Sequence, residues 1–130
     1  MELSGLQLSD LSAYQRRLEL VQQTADQVIK DLGAHGEEVR FSGNPDTAYQ
    51  ELTDQLIPIL NYLMEKNHQR LFQLLYRIDL SEKVIRRELL YPGEGDASQR
   101  LAHLILEREL KKVVIRNYFR QSGERDNSAQ

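Results

Sequence analysis

From Tyr49 to Ile78 the apolar residues of this chain keep the phase of an α-helix. Tyr49, Leu52, Leu56, Ile57, Ile59, Leu60, Leu63, Met64, Leu71, Leu74, Leu75 and Ile78 share one face. At about 100° per residue they fall within an arc of about 160°, the width of a core-facing helix rather than a coiled-coil seam. Asn44, Pro45 and Asp46 form its start signal: an N-cap acceptor, a residue suited to the first helical position, and an acid at the positive end of the dipole. Pro58 projects opposite the stripe, where solvent can satisfy the carbonyl it leaves unpaired, so the pattern predicts a long, kinked second helix. Of the polar run Glu65–Arg70, only Asn67 falls on the apolar face, and a bend or break is expected there without loss of phase.

An earlier stripe of Leu11, Tyr14, Leu18, Val21, Ala25, Val28, Ile29 and Leu32 predicts a first helix from Ser9 or Asp10 to Leu32. Gly33 is placed to close it in the left-handed conformation. Residues 34–43 read as a loop from which Val39 and Phe41 can return to the core. Ser81 reads as the N-cap of a short third helix ending near Leu90, with Leu80 and Ile85 spaced as a hydrophobic staple. Tyr91-Pro92-Gly93-Glu94-Gly95 is a turn signal. Asp96, with Gln99 three residues on, starts a long last helix of about Ala97 to Arg120. The expected fold is all-α, a bundle of four to five helices over residues 1–120. A disordered or frayed polar tail is expected over residues 121–130.

The last segment is apolar on two sides. Ala102, Leu106, Leu110, Val113 and Val114 form one face, and Leu101, Leu104, Ile105, Ile115, Tyr118 and Phe119 form another, nearly opposite. Such a helix is either central in its own bundle or shared between subunits. Sharing is the simpler account for a four-helix protein, so a homodimer is expected, with the second face as the interaction surface.

Composition narrows the setting. A chain of 130 residues fits one domain, and a fold of this size covers roughly two-thirds of the surface its unfolded chain exposes. The absence of cysteine excludes disulfides and thiolate metal sites and fits a reducing cytoplasm. The first residues lack the basic start and apolar run of a signal peptide, and no window approaches the roughly 18 apolar residues of a membrane span. A cytoplasmic location is therefore expected. The net charge of −3 conceals a division, with −5 on residues 1–80 and +3 on residues 81–120. Opposite charges of this kind can attract within a bundle or between two copies.

Chemical constellations are sparse. Glu65 and His68 form a Glu-x-x-His pair, but a di-iron bundle needs two such pairs and further inward carboxylates. Glu51 with Asp54, and Asp79 with Glu82, could hold magnesium against a pyrophosphate, as in all-helical nucleotide pyrophosphohydrolases. Glu51 and Asp54 project off the stripe, however, and Asp79 suits a helix cap. His103 and Glu107 suit an ordinary intrahelical contact. No Gly-rich phosphate loop and no Gly-x-Ser-x-Gly elbow occurs, and no cofactor is implied. Arg108, Lys111, Lys112, Arg116 and Arg120 could contact a polyanion, with Tyr118 and Phe119 stacking on bases. Interspersed glutamates and a modest charge weigh against nucleic acid. Arg70 and Arg77, seven apart beside the stripe, are placed to bind acidic residues of the first helix or of a partner.

The run LFQLLYRIDLSE (Leu71–Glu82), with LAHLILERELKK (Leu101–Lys112), resembles a family of small, uncharacterised helical bacterial proteins. The resemblance covers roughly residues 47–119 and is most specific at Leu75–Asp79. It implies a bacterial, soluble, helical protein and no activity. Its Tyr76-Arg77-Ile78-Asp79 segment marks either a partner site or a structural joint between helices. Together these readings point to a non-catalytic helical interaction or regulatory module, homodimeric or with a protein partner. The alternatives are a weak nucleic-acid binder using the basic last helix and, more distantly, a magnesium-dependent enzyme.

Overall fold

The computed structural model describes residues 8–90 and 96–128, with side-chain surroundings from residue 13 to residue 121. The order of elements is α1 (Leu8–Gly33), a single 3-10 turn (Pro45–Thr47), α2 (Ala48–Lys66), α3 (His68–Ile78), α4 (Glu82–Leu90) and α5 (Ala97–Ser128). Among the described residues the regular structure is entirely helical, and the fold is an all-α bundle. The turn signal at Tyr91–Gly95 lies outside them.

Local chemistry sets the ends of these helices. α1 closes through hydrogen bonds from Gly36 N to Gly33 O and from Glu37 N to Leu32 O, with Gly36 at φ 78°. This is a Schellman closure in which Gly36, not Gly33, takes the left-handed conformation. Ahead of α2, Asn44 Oδ1 accepts from Asp46 N at 3.0 Å, as the start signal requires. α2 then runs through Pro58, which is exposed on the side away from the core. The bend or break expected at Asn67 is a full break, so the stripe is carried by two helices. Asn67 leaves the helical region at φ −153° and ψ 77°, and its side chain accepts from Arg70 N at 3.1 Å to start α3. Asn67 is therefore exposed at a junction, not buried in the stripe. The apolar phase nonetheless survives, since Leu63, Leu71, Leu74, Leu75 and Ile78 are all fully covered.

α3 ends at Asp79, a non-glycine residue at φ 69°, with Leu80 N bonded to Leu75 O. Ser81 Oγ accepts from Val84 N at 3.2 Å, and Leu80 and Ile85 are both buried, as a staple demands. At the start of α5, Asp96 Oδ1 accepts from both Ser98 N and Ser98 Oγ, so Ser98 takes the role expected of Gln99. α5 continues past Arg120 to Ser128. Once nucleated, a helix gains one hydrogen bond for each residue added, and no proline or helix-closing motif stops it in this stretch.

α5 is the organising element, packing against α1, α2, α3 and α4. Leu101, Ala102 and Ile105 are fully covered and Leu106 nearly so, which makes this half of α5 central in its own bundle. Around it lie Ala25, Val28 and Leu32 of α1, Leu52, Leu56, Leu60 and Leu63 of α2, the α3 leucines, and Ile85 of α4. Val39 and Phe41 return from the loop and join this core. Tyr49, placed on the stripe by its phase, is 55% exposed and instead sets its ring edge-on to His103.

Candidate interaction face and the buried acid pair

Two features of α5 stand out, one on each side of the helix. Its distal half exposes Leu110 and Val114 on one side and Ile115, Tyr118 and Phe119 on another, the last two at 65% and 67%. Tyr118 and Phe119 meet edge to face with centroids 5.6 Å apart. The six-residue face read from the sequence is thus divided. Leu101 and Ile105 are inside the core and Leu104 is half-buried against it, while Ile115, Tyr118 and Phe119 remain open. The cause is length. α5 is longer than the helices around it, so the same phase is covered at one end and bare at the other.

The inner side carries charge. Glu109 is fully buried and Asp31 of α1 is 3% exposed. Arg77 Nε of α3 lies 3.1 Å from Asp31 Oδ1, and Lys112 Nζ of α5 lies 3.1 Å from Asp31 Oδ2. Gln27 Nε2 donates to both Asp31 oxygens. Lys112 Nζ is also 2.7 Å from Glu109 Oε1, but neither Glu109 oxygen receives a bond of proper hydrogen-bond geometry. Burial pushes the Glu109 carboxyl up to about 8, helped by its hydrogen bond to Asp31 and opposed by Lys112. Burial and the neighbouring Asp31 thus favour the protonated form of Glu109. Burial alone would raise Asp31 too, but bonds from Glu109, Gln27 and Lys112 hold it below the usual aspartate value. The polar contact continues along α1 and α5, with Arg116 Nη1 on Gln27 and Asn117 Nδ2 on Gln23.

Neither Asp31 nor Glu109 stands out from composition or motif spacing, but one signal for Glu109 is present. Glu109 keeps the phase of Ala102, Leu106 and Val113, and that placed a glutamate on a buried stripe. Arg77 finds its acid on the first helix, one of the two destinations open to it. Arg70 does not; its guanidinium donates to the His35 backbone carbonyl. The Tyr76-Arg77-Ile78-Asp79 segment is a joint at three of its positions. Arg77 holds Asp31, Ile78 is fully buried, and Asp79 receives Arg108 on both its carboxylate and its carbonyl. Tyr76 is exposed and stacks on Phe72.

The candidate polyanion contacts are mostly occupied within the chain. Arg108 pairs with Asp79, Lys111 with Glu107, Lys112 with Asp31 and Glu109, and Arg116 with Gln27. Arg120 is exposed beside the α1–α5 groove. They do not form one open basic stripe, because α5 turns Lys112 and Arg116 towards α1. The acidic couples are also engaged. Glu51 accepts from Ser42 and Thr47, whose bonds hold its carboxyl below the ordinary value, while Asp54 binds Gln50 and Glu82 binds Arg86. His103 Nε2 is 3.5 Å from Glu107, the intrahelical contact its spacing suggests. His68 bonds the Met64 carbonyl. Among the described residues no three His, Asp or Glu side chains converge to hold a metal ion. Nor is any helix among them long and apolar enough to cross a membrane.

The chain matches no known family model, no curated protein and no solved structure. Function must therefore be argued from the surfaces themselves.

Proposed function

We propose that this chain is a non-catalytic helical interaction module that associates with a second copy through the outer face of α5. The exposure of Ile115, Tyr118 and Phe119 on one face of the last helix carries the reading. Isolated apolar residues are ordinary on a protein surface, but a contiguous aromatic and aliphatic patch loses free energy to water unless a partner covers it. Catalysis draws little support from the same geometry. The most perturbed acid, Glu109, is sealed from any substrate, and the acidic couples serve caps and ion pairs. Nucleic-acid binding is weakened because Arg108, Lys112 and Arg116 are already engaged.

Light scattering across a concentration series tests the reading. The expected result is a dimer mass for the native chain and a monomer mass for Tyr118→Glu. A native chain that stays monomeric at the highest concentration overturns it.

A further inference from the structure

The inner side of α5 changes character along its length. Leu101, Ala102 and Ile105 are fully covered and Leu106 nearly so, whereas among the described residues beyond Glu109 only Val113 is buried. The rest of that distal half meets α1 through polar atoms. Arg116 Nη1 donates to Gln27 Oε1 at 3.1 Å, and Asn117 Nδ2 donates to Gln23 Oε1 at 3.0 Å. Alongside them the two helices leave an open groove lined by Arg16, Gln23, Val114 and Arg120. Core packing fixes the proximal half of α5. One valine, two hydrogen bonds and the acid cluster attach the rest.

The cluster sits where the two halves meet, and Gln27 joins it to the seam. Gln27 Nε2 donates to Asp31 while Gln27 Oε1 accepts from Arg116. Asp31 of α1 and Lys112 of α5 itself act on Glu109. Arg77 of α3 reaches Asp31, and the His35 ring lies 3.3 Å from the Asp31 carbonyl. Among the described residues, no charged group of α2 or α4 bonds either carboxylate. A charged Glu109 is poorly served in this setting. Its one cation, Lys112, also holds Asp31 Oδ2, Arg77 reaches Asp31 alone, and neither Glu109 oxygen receives a well-directed hydrogen bond. A carboxylate so placed carries its desolvation cost with little to offset it. Freeing the distal half of α5 lets water reach Glu109 and gives up only the burial of Val113 and the two bonds to α1. Unfolding the proximal half would also expose Leu101, Ile105 and Leu106. Local opening is the less costly response to the charge.

We propose that this cluster is a proton-operated latch, which holds the distal half of α5 on α1 while Glu109 is protonated and frees it from Glu109 onward when that proton is lost. Burial beside Asp31 pushes the Glu109 carboxyl up to about 8, so the latch holds below that pH and opens above it. It acts within one chain and does not depend on the self-association proposed above.

The chain has no cysteine, so spin labels can be placed at Glu19→Cys and Gln121→Cys, on the α1 and α5 walls of the groove. Dilution into excess unlabelled chain restricts the readout to distances within one chain. Pulsed electron resonance should give one short distance near pH 6 and a longer, broader one near pH 9. Glu109→Gln in the same labelled chain should keep the short distance at both. Hydrogen exchange on the unlabelled chain, corrected for the intrinsic effect of pH, reads the same event without labels. Amides 112–121 should lose protection about tenfold between the two pH values while amides 101–106 keep theirs. An unchanged distance and unchanged protection, or the same changes in Glu109→Gln, overturn the latch. So does equal loss of protection along the whole of α5, since the charge then unfolds the bundle instead of releasing one half. His35→Asn should leave the transition in place; its disappearance there would assign the switch to His35 and overturn the role of Glu109.

Discussion

Lys112 Nζ of α5 lies between two buried carboxylates, 2.7 Å from Glu109 Oε1 of its own helix and 3.1 Å from Asp31 Oδ2 of α1, and Arg77 Nε reaches Asp31 Oδ1 from α3. Burial of Glu109 beside Asp31 favours its protonated form, so stability must follow its proton.

Glu109 titrates near 4.5 when unfolded and at about 8 when folded. Its contribution is fully present below the unfolded value and is lost as pH rises through the folded one, at roughly 1.4 kcal/mol per pH unit within that window. Asp31, whose folded value lies below 3.8, contributes above that pH and loses its share in stronger acid. The urea midpoint should therefore be highest near pH 4 to 5 and fall towards pH 8. Glu109→Gln, which stays neutral and can still donate, should flatten that fall. Parallel curves for the two proteins would refute the assignment.

Removing the acid should cost more than removing its arginine. Asp31→Ala leaves Arg77 without its acid and Lys112 with Glu109 alone, and should lose about 3 kcal/mol. The Arg77 side chain is 38% exposed against 4% for Asp31. Lys112 would also remain on Asp31, so Arg77→Ala should lose only about 1–2 kcal/mol. Chemical denaturation of both variants at pH 6 reads the difference, and equal losses would contradict the shared role of Lys112.

At Asp79 the left-handed backbone and the Arg108 contact act in opposite directions on substitution. Glycine removes the strain of φ 69° and loses the ion pair, so Asp79→Gly should lie within about 1 kcal/mol of the native chain. Asp79→Val keeps a branched side chain in that conformation and loses the pair, at a cost of about 2 kcal/mol or more. Thermal melts should rank glycine above valine; the reverse order would mean that Arg108 contributes far more than an exposed pair ordinarily does.

The division of α5 into a covered and a bare half predicts opposite outcomes for similar truncations. Ile105→Ala opens a cavity in the core and should cost about 2–4 kcal/mol. Ile115→Ala should leave the stability of dilute monomer within about 0.5 kcal/mol and weaken self-association instead. Melting and light scattering on the two variants separate the effects, and a large loss of monomer stability from Ile115→Ala would show that residue to be part of the core.

Much of the fold could be read residue by residue. Asn44, Ser81 and Asp96 act as caps through atoms within three residues of them, and Leu80 and Ile85 form a staple within one turn. Such signals are local, so sequence carries them. The misreadings have equally definite causes. Gly33 and Gly36 both suit a helix end, and which becomes left-handed depends on how far α1 continues before its carbonyls are satisfied. Asn67 shares the phase of its neighbours, yet its side chain finds Arg70 N and ends the helix there. Tyr49 keeps the stripe's phase at the first turn of α2, where His103 offers its ring an exposed neighbour. Glu109 has the phase of a buried residue and the identity of a surface one, and only packing decides between them.

The amino-acid order by itself determined that this protein is helical, where most of its helices begin, and that its last helix is apolar on two sides, because periodicity and capping act over one or two turns. Only the tertiary structure decided which part of that last helix is core and which is bare. It also decided that Asp31, far away in the chain, meets Glu109 and Lys112. Burial depends on where helices distant in sequence end against one another, and that sets both the core and the proton.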